Sequence, residues 1–358
     1  MNKRIAFLVL LSLGAGCTQT VVEDQEQTES EETSAETTTT NVPTFVEQTA
    51  TFHVENAPIW LFAVDDETDS PVLSTERDGA IYLGHLDLAN PATAVEWQRV
   101  VSSDDLGGKR VADHWHTFAY GAHWIVFSVQ EANASYLLKL DQNFERLSLT
   151  PVATTAPTND MFLVENDAGV SVGHFMPGVG HTLYDIDLNG NVLHKSNVGG
   201  DRARHGNGAS AIGSVEGFSL FAGETLNFVE QSALLKIDTD LDWNVTDVTT
   251  LVDDPSHNVS MTSAVMLEGG YVVVTARVTE SYERGVLPPP KDSGEPLADD
   301  GGSIVRFVFD EEGNEISREV LFDGTTEHRP HMELIGELLI TTWDGAGGSS
   351  LRIDEVVY

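Results

Sequence analysis

The sequence predicts an all-β chain, a six-bladed β-propeller of four-stranded blades closed by an N-terminal strand that completes the last blade. Three observations carry that expectation. An apolar strand ending in Asp and followed by a polar turn recurs six times, at Asp87, Asp141, Asp187, Asp238, Asp310 and Asp354. The spacings are 54, 46, 51, 72 and 44 residues, and the long one contains an insertion at 280–302 rich in Pro, Gly and acidic residues. Each interval holds about four short strands, the signature of propeller blades. Finally, the chain stops at Tyr358, four residues after the sixth Asp, with no room for a last strand. A β-sandwich predicts no fixed period of this length. Alternation and the Val, Thr and Tyr content exclude a helical solenoid.

The elements follow in chain order. Asn2-Lys3-Arg4 is a short basic region, and Ile5 to Leu13 an apolar run. That run is too short to span a bilayer core of about 30 Å, so residues 1–16 are expected to be a signal peptide. Small residues before the single cysteine, Gly14-Ala15-Gly16-Cys17, resemble the lipobox of bacterial lipoproteins. The departure from that pattern is Gly14 at −3, with the aliphatic Leu13 one place earlier. The resemblance implies that Cys17 carries diacylglycerol, so that the membrane is met through a lipid. Thr18 after the cysteine implies the outer membrane of the cell envelope rather than inner-membrane retention. Residues 17–48 are expected to be a solvated tether, because 18–48 hold nine Thr and eight acidic residues with no Lys or Arg.

The propeller is expected over 49–358. Thr49-Ala50-Thr51-Phe52-His53-Val54 alternates, belongs to no blade of its own, and is placed to supply the missing outer strand. Closing the ring this way removes free sheet edges. Within the blades, strands such as Trp124-Ile125-Val126-Phe127, Phe218-Ser219-Leu220-Phe221 and Tyr271-Val272-Val273-Val274 precede the Asp markers. The turns after those markers are expected to be plain hairpin turns. Asp238-Thr239-Asp240-Leu241-Asp242-Trp243-Asn244 alternates Asp, but Trp243 stands where a calcium loop needs glycine.

The connectors between blades, with the loops between second and third strands, share one face around the channel. Six of the twelve histidines fall in four of these connectors: His114, His116, His205, His257, His328 and His331. So do five of the 17 Lys and Arg of residues 49–358: Lys109, Arg110, Arg202, Arg204 and Arg329. In an acidic chain this is a local reversal of sign. It suits a small anionic ligand or glycan, with Arg offering forked hydrogen bonds to sulfate, phosphate or carboxylate. Plain channel polarity is the competing explanation. A metal held by the His ring would need converging neutral imidazoles, which spacing cannot show. No metal and no cofactor is assigned.

The arrangement resembles the periplasmic arylsulfotransferases, six-bladed propellers with His and Arg in the channel. The shared features are a connector His, an Arg about twenty residues later, and a His one blade on. Here these are His257, Arg277 and His331. The resemblance implies His331 as the sulfuryl-carrying nucleophile, with His257 and Arg277 holding sulfuryl oxygens. Three functions therefore stand open. The first is a non-catalytic module binding an anionic small molecule or glycan; the second is a sulfotransferase-like enzyme or a lyase on anionic sugars; the third is an envelope scaffold. A monomer is expected.

Charge bounds the partners. The formal net charge is −38, with 57 Asp and Glu against 19 Lys and Arg. Residues 49–358 hold 49 acidic and 17 basic residues, so most of this acidity belongs to the folded part. Nucleic acid is excluded as a partner, because a phosphate backbone needs a basic face. One cysteine excludes an intrachain disulfide.

Overall fold

The structure is a computed structural model. It describes residues 42–358 except 56–58, 66–69, 91–93, 130–133, 154–160, 177–179, 200–207, 227–228, 255, 281–300, 326–329 and 346–347. The described part folds as six antiparallel four-stranded sheets. Blade one holds β2 (Ile59–Asp65), β3 (Ser70–Arg77), β4 (Ala80–His85) and β5 (Gln98–Val101). Blade two holds β6 (Val111–Ala119), β7 (Ala122–Val129), β8 (Ala134–Leu140) and β9 (Arg146–Ala153). Blade three holds β10 (Met161–Asn166), β11 (Gly169–Met176), β12 (Gly180–Asp187) and β13 (Val192–Gly199). Blade four holds β14 (Ser210–Gly213), β15 (Gly217–Leu226), β16 (Val229–Asp240) and β17 (Val245–Asp253). Blade five holds β18 (His257–Met266), β19 (Val272–Glu280), β20 (Gly301–Phe309) and β21 (Glu315–Thr325). Blade six holds β22 (His331–Ile335), β23 (Leu338–Gly345) and β24 (Gly348–Val357), and its outer strand is β1 (Thr44–Glu55). The first strands of the blades contact one another in turn, β2 to β6 to β10 to β14 to β18 to β22 and back to β2, which closes the ring.

Closure by the N-terminal strand is as the sequence predicts, with one difference of extent. β1 begins at Thr44, inside the stretch expected to be tether, and pairs Thr44 with Val357 through Glu55 with Gly348. Two side chains account for the earlier start. Phe45 lies under the Arg306 guanidinium at 3.9 Å, and Glu47 approaches Arg352 at 3.9 Å. Arg306 is 1% exposed, and its Nη1 donates to Asp354 Oδ2 at 2.8 Å. Arg352 donates to the other oxygen of Asp354 and, at 3.0 Å, to Glu319. Burial opposes the charge of Glu319, but the two guanidiniums hold it below the usual carboxylate range. An ion pair this deep needs every lone pair engaged to offset lost hydration. Here one acid–base cluster ties blade five, blade six and the closing strand together.

The Asp markers lie at or near the end of the third strand of each blade, and in four blades the chemistry of the turn that follows is explicit. Asp141, Asp187, Asp240 and Asp310 each bond their own N–H to the carbonyl four residues on. Each also accepts, through Oδ1, the N–H of that same residue. The fourth turn residue lies in the left-handed region, at Phe144 (φ 63°), Gly190 (φ 85°), Trp243 (φ 65°) and Gly313 (φ 83°). Glycine fits there without cost. Phe144 and Trp243 are held there because their side chains are buried; Trp243 stacks on Phe218 at 3.9 Å and donates to Asp185. In blade four the turn therefore hangs on Asp240, two residues after the Asp238 marker.

Candidate functional site

Two faces of the ring differ in kind. The connector face carries the blade-to-blade segments and the turns between second and third strands. Its placement is visible where Val111 N–H bonds the Gly79 carbonyl in the β3–β4 turn of the preceding blade. Arg110 lies across Gly79 there, and a side chain at that position would collide with its Cβ and Cγ.

From this point β6 runs inward. Lys109 and Arg110 stand exposed at its head, and neither forms an ion pair among the described residues. His114, Trp115 and His116 follow, all buried. A bulge between Val111 and Asp113 puts two residues of β6 opposite one of β7. It turns His114 towards blade one, where its Nε2 lies 3.0 Å from Ser74 Oγ. His116 lies on the same side of β6, and its Nε2 is 3.1 Å from His123 Nδ1. Trp115 takes the opposite side, among the core residues between blades two and three. Its ring also meets His331 of blade six edge-on, at 5.0 Å between centroids. The inner wall thus gathers side chains of blades two and six across blade one.

The His114 and His116 imidazoles are neutral. Burial pushes His114 down to about 3. Burial also holds His116 well below its ordinary range, and neighbouring His123, His114 and His331 add to that. Neither His114 nor His116 carries a charge to draw an anion; the exposed cations at the head of β6 are Lys109 and Arg110. The wall offers hydrogen bonds, and the Nδ1 atoms of His114 and His116 have no hydrogen-bond partner.

The structure does not bring His257, Arg277 and His331 to one point. His257 pairs with Glu280 and Ser260 with Arg277, so strand alternation sends His257 and Arg277 to opposite faces of blade five. His257 faces blade four, where it lines a cleft with Val252 of β17. Arg277 shares the other face with Thr275, whose hydroxyl contacts Met332 of blade six. His331 alternates with Met332 and so faces away from blade five. The geometry that sulfuryl transfer needs, with all three groups in hydrogen-bond reach of one centre, is absent.

Cys17, Arg202, Arg204, His205, His328, Arg329 and most of the 280–302 insertion lie outside the described residues. Sequence reading passed over His123, His174 and His181, which are fully buried on second and third strands. For His123 a signal existed. Counting back across the Tyr120-Gly121 turn places it opposite Phe118, on the side of β6 that bears His116. Among the described residues no group of three or more His, Cys, Asp or Glu is arranged to hold a metal ion.

Comparison with known proteins adds the fold and no more. No protein-family model matches the chain. No curated protein matches it in sequence. Among solved structures, YjhT is similar at a TM-score of 0.51 and 12% identity, covering 85% of this chain and 96% of that one. A subtype N10 neuraminidase-like protein of A/little yellow-shouldered bat/Guatemala is similar at a TM-score of 0.51 and 11% identity, covering 88% and 100%. The Bacteroides ovatus xyloglucan PUL protein GH43B has a TM-score of 0.46 and 11% identity, over 77% of this chain. This chain spans 57% of the length of that protein. The class defined here is the six-bladed β-propeller.

Proposed function

We propose that the propeller is a binding module which takes a small anionic molecule or an acidic glycan at its connector face, with no chemistry performed on it. Lys109 and Arg110 supply the charge. The buried His114 and His116 give the site an uncharged floor able to exchange hydrogen bonds, with His331 beside them. The observation that supports this most is the pair of unpaired cations at the head of β6, in a domain with 49 acidic and 17 basic residues. Neither is neutralised by a carboxylate among the described residues, so both are available to an anion that enters this otherwise acidic field. A fork such as Arg110 suits sulfate or a uronate carboxylate. His205, His328, Arg202, Arg204 and Arg329 belong to the same proposal through their connectors. Nothing in the geometry favours the sulfotransferase reading over this one.

Calorimetric titration tests it, with inorganic sulfate and an oligogalacturonate as probes. Wild type is expected to bind at least one probe, more weakly as salt rises. The K109A/R110A double variant is expected to lose at least about tenfold in affinity, which is about 1.4 kcal/mol. A wild type that binds neither probe, or a double variant that binds as well as wild type, sinks the proposal.

A further inference from the structure

Outside the channel, a cleft of about 350 Å³ opens between blades four and five. Its floor is apolar: five valines, one from each of β17 to β21, with Phe307. The polar groups on its walls are Asp254, His257, Ser303, Arg318 and Asp323. A cavity of this size with few polar groups is the usual form of a small-molecule site.

Each polar group has a definite free valence. His257 Nδ1 is 3.1 Å from Asp254 Oδ2 and 2.8 Å from Ser256 Oγ. The Ser256 hydroxyl donates to Asp254 Oδ1 at 2.5 Å, so its oxygen can only accept from the ring. Nδ1 therefore carries a hydrogen, and in the neutral ring Nε2 holds the lone pair. Nε2 has no partner among the described residues. Asp323 accepts the Ser303 hydroxyl at 3.0 Å on Oδ1, which leaves Oδ2 open. Arg318 is not available as a cation. Its Nε and Nη2 form a fork with Glu315 at 2.6 Å each, and its guanidinium lies over Phe307 at 5.2 Å.

The walls therefore present two acceptors, His257 Nε2 and Asp323 Oδ2, above a greasy floor; of the two carboxylates Asp254 already faces His257 and Arg318, and Asp323 meets only the Ser303 hydroxyl among the described residues. An anion meets the Asp323 carboxylate, and the one guanidinium is already forked to Glu315. A neutral alcohol uses one acceptor and leaves the carboxylate charge unanswered. An ammonium donates to both acceptors and answers the charge, while an aliphatic or aryl body covers the valines. We propose that this cleft binds a small organic cation, a primary ammonium on an apolar body, with the nitrogen held by His257 Nε2 and Asp323. This site shares no residue with Lys109, Arg110 or the inner wall, so it stands or falls independently of the connector-face reading.

The test is titration of the full chain with phenethylamine, beside phenethyl alcohol and 3-phenylpropionate. The amine is expected to bind at least about tenfold more tightly than either, since one charge-assisted bond contributes that much. Asp323→Asn and His257→Phe are each expected to weaken amine binding by about tenfold. Val320→Trp, at a position already 58% exposed, fills the cleft and is expected to abolish it without cost to folding, checked by thermal unfolding. K109A/R110A is expected to bind the amine as wild type does. No amine binding at millimolar concentration, equal binding of amine and alcohol, or binding unmoved by Asp323→Asn and Val320→Trp each overturns the proposal.

Discussion

Two regions bury titratable side chains at blade junctions and solve the same problem in opposite ways. At the closing seam, Arg306 and Asp354 are 1% and 0% exposed and keep their charges, each answered by the other and by Arg352 and Glu319. At the inner wall, His114 and His116 are 3% and 0% exposed and give their charges up. The seam meets no ligand in this account; it fixes the strand that closes the ring. The wall lies under the connector face, and in the proposed site its neutral rings leave Lys109 and Arg110 as the source of charge. A buried cation has two escapes from desolvation, pairing or neutralisation. An arginine has only the first, and a histidine can use the second.

The seam is where this contrast breaks most violently. Arg306→Ala leaves Asp354 buried with only Arg352 against it, and removing one partner of a buried pair costs up to about 3–5 kcal/mol. Urea unfolding followed by tryptophan fluorescence should show that loss. Replacing both partners, as Arg306→Met with Asp354→Leu, should cost less, since no carboxylate is left buried without Arg306 and Arg352 keeps Glu319 as a partner. Equal losses from the single and double variants would mean that the seam is held by packing and not by charge.

Acid sharpens the contrast with a smaller effect. The folded value of His114 is lowered to about 3 from an unfolded value of about 6.5. Below that unfolded value the unfolded chain binds a proton that the fold refuses, so stability falls as pH drops from about 6.5 towards 3. Each such imidazole contributes a slope of up to about 1.4 kcal/mol per pH unit. His116 adds to it, as does His174, lowered to about 4 by burial. Glu319 works in a different window. Its folded value is lowered, so its contribution is present above the unfolded carboxylate value and is lost only below it. Between pH 6.5 and about 4.5, therefore, the slope belongs to the wall. His114→Gln is expected to flatten the acid limb of the stability curve there by about one imidazole's share, while Arg306→Ala is expected to leave its slope unchanged. An unaltered acid limb in His114→Gln would refute the neutral wall.

The same contrast shows what could be read from residues alone. The ring was legible because an apolar strand ending in Asp recurs six times, about every 50 residues; the Asn that closes the turn after Asp187, Asp240 and Asp310 emerged only with the structure. The closing strand was legible because an alternating segment had no blade of its own. Its start at Thr44 was not, since the partners of Phe45 and Glu47 lie some 260 and 300 residues away. The connector histidines were visible, but their directions were not. The bulge after Val111 inverts the alternation of β6, and the register of β18 on β19 sends His257 away from Arg277. A count along the chain cannot see either. Asp254 and Arg318 look like surface charges in the sequence, and only the meeting of blades four and five gives them a cleft.

The claim that an uncharged wall underlies a cationic rim is open to one direct measurement, imidazole ¹⁵N NMR of the full chain from pH 7 to 5, with and without sulfate. The account predicts that the His114 and His116 rings stay neutral across that range, and that sulfate shifts the side-chain signals of Lys109 and Arg110 without protonating either ring. Titration of His114 or His116 near pH 6.5, or sulfate that moves neither cation, would contradict it.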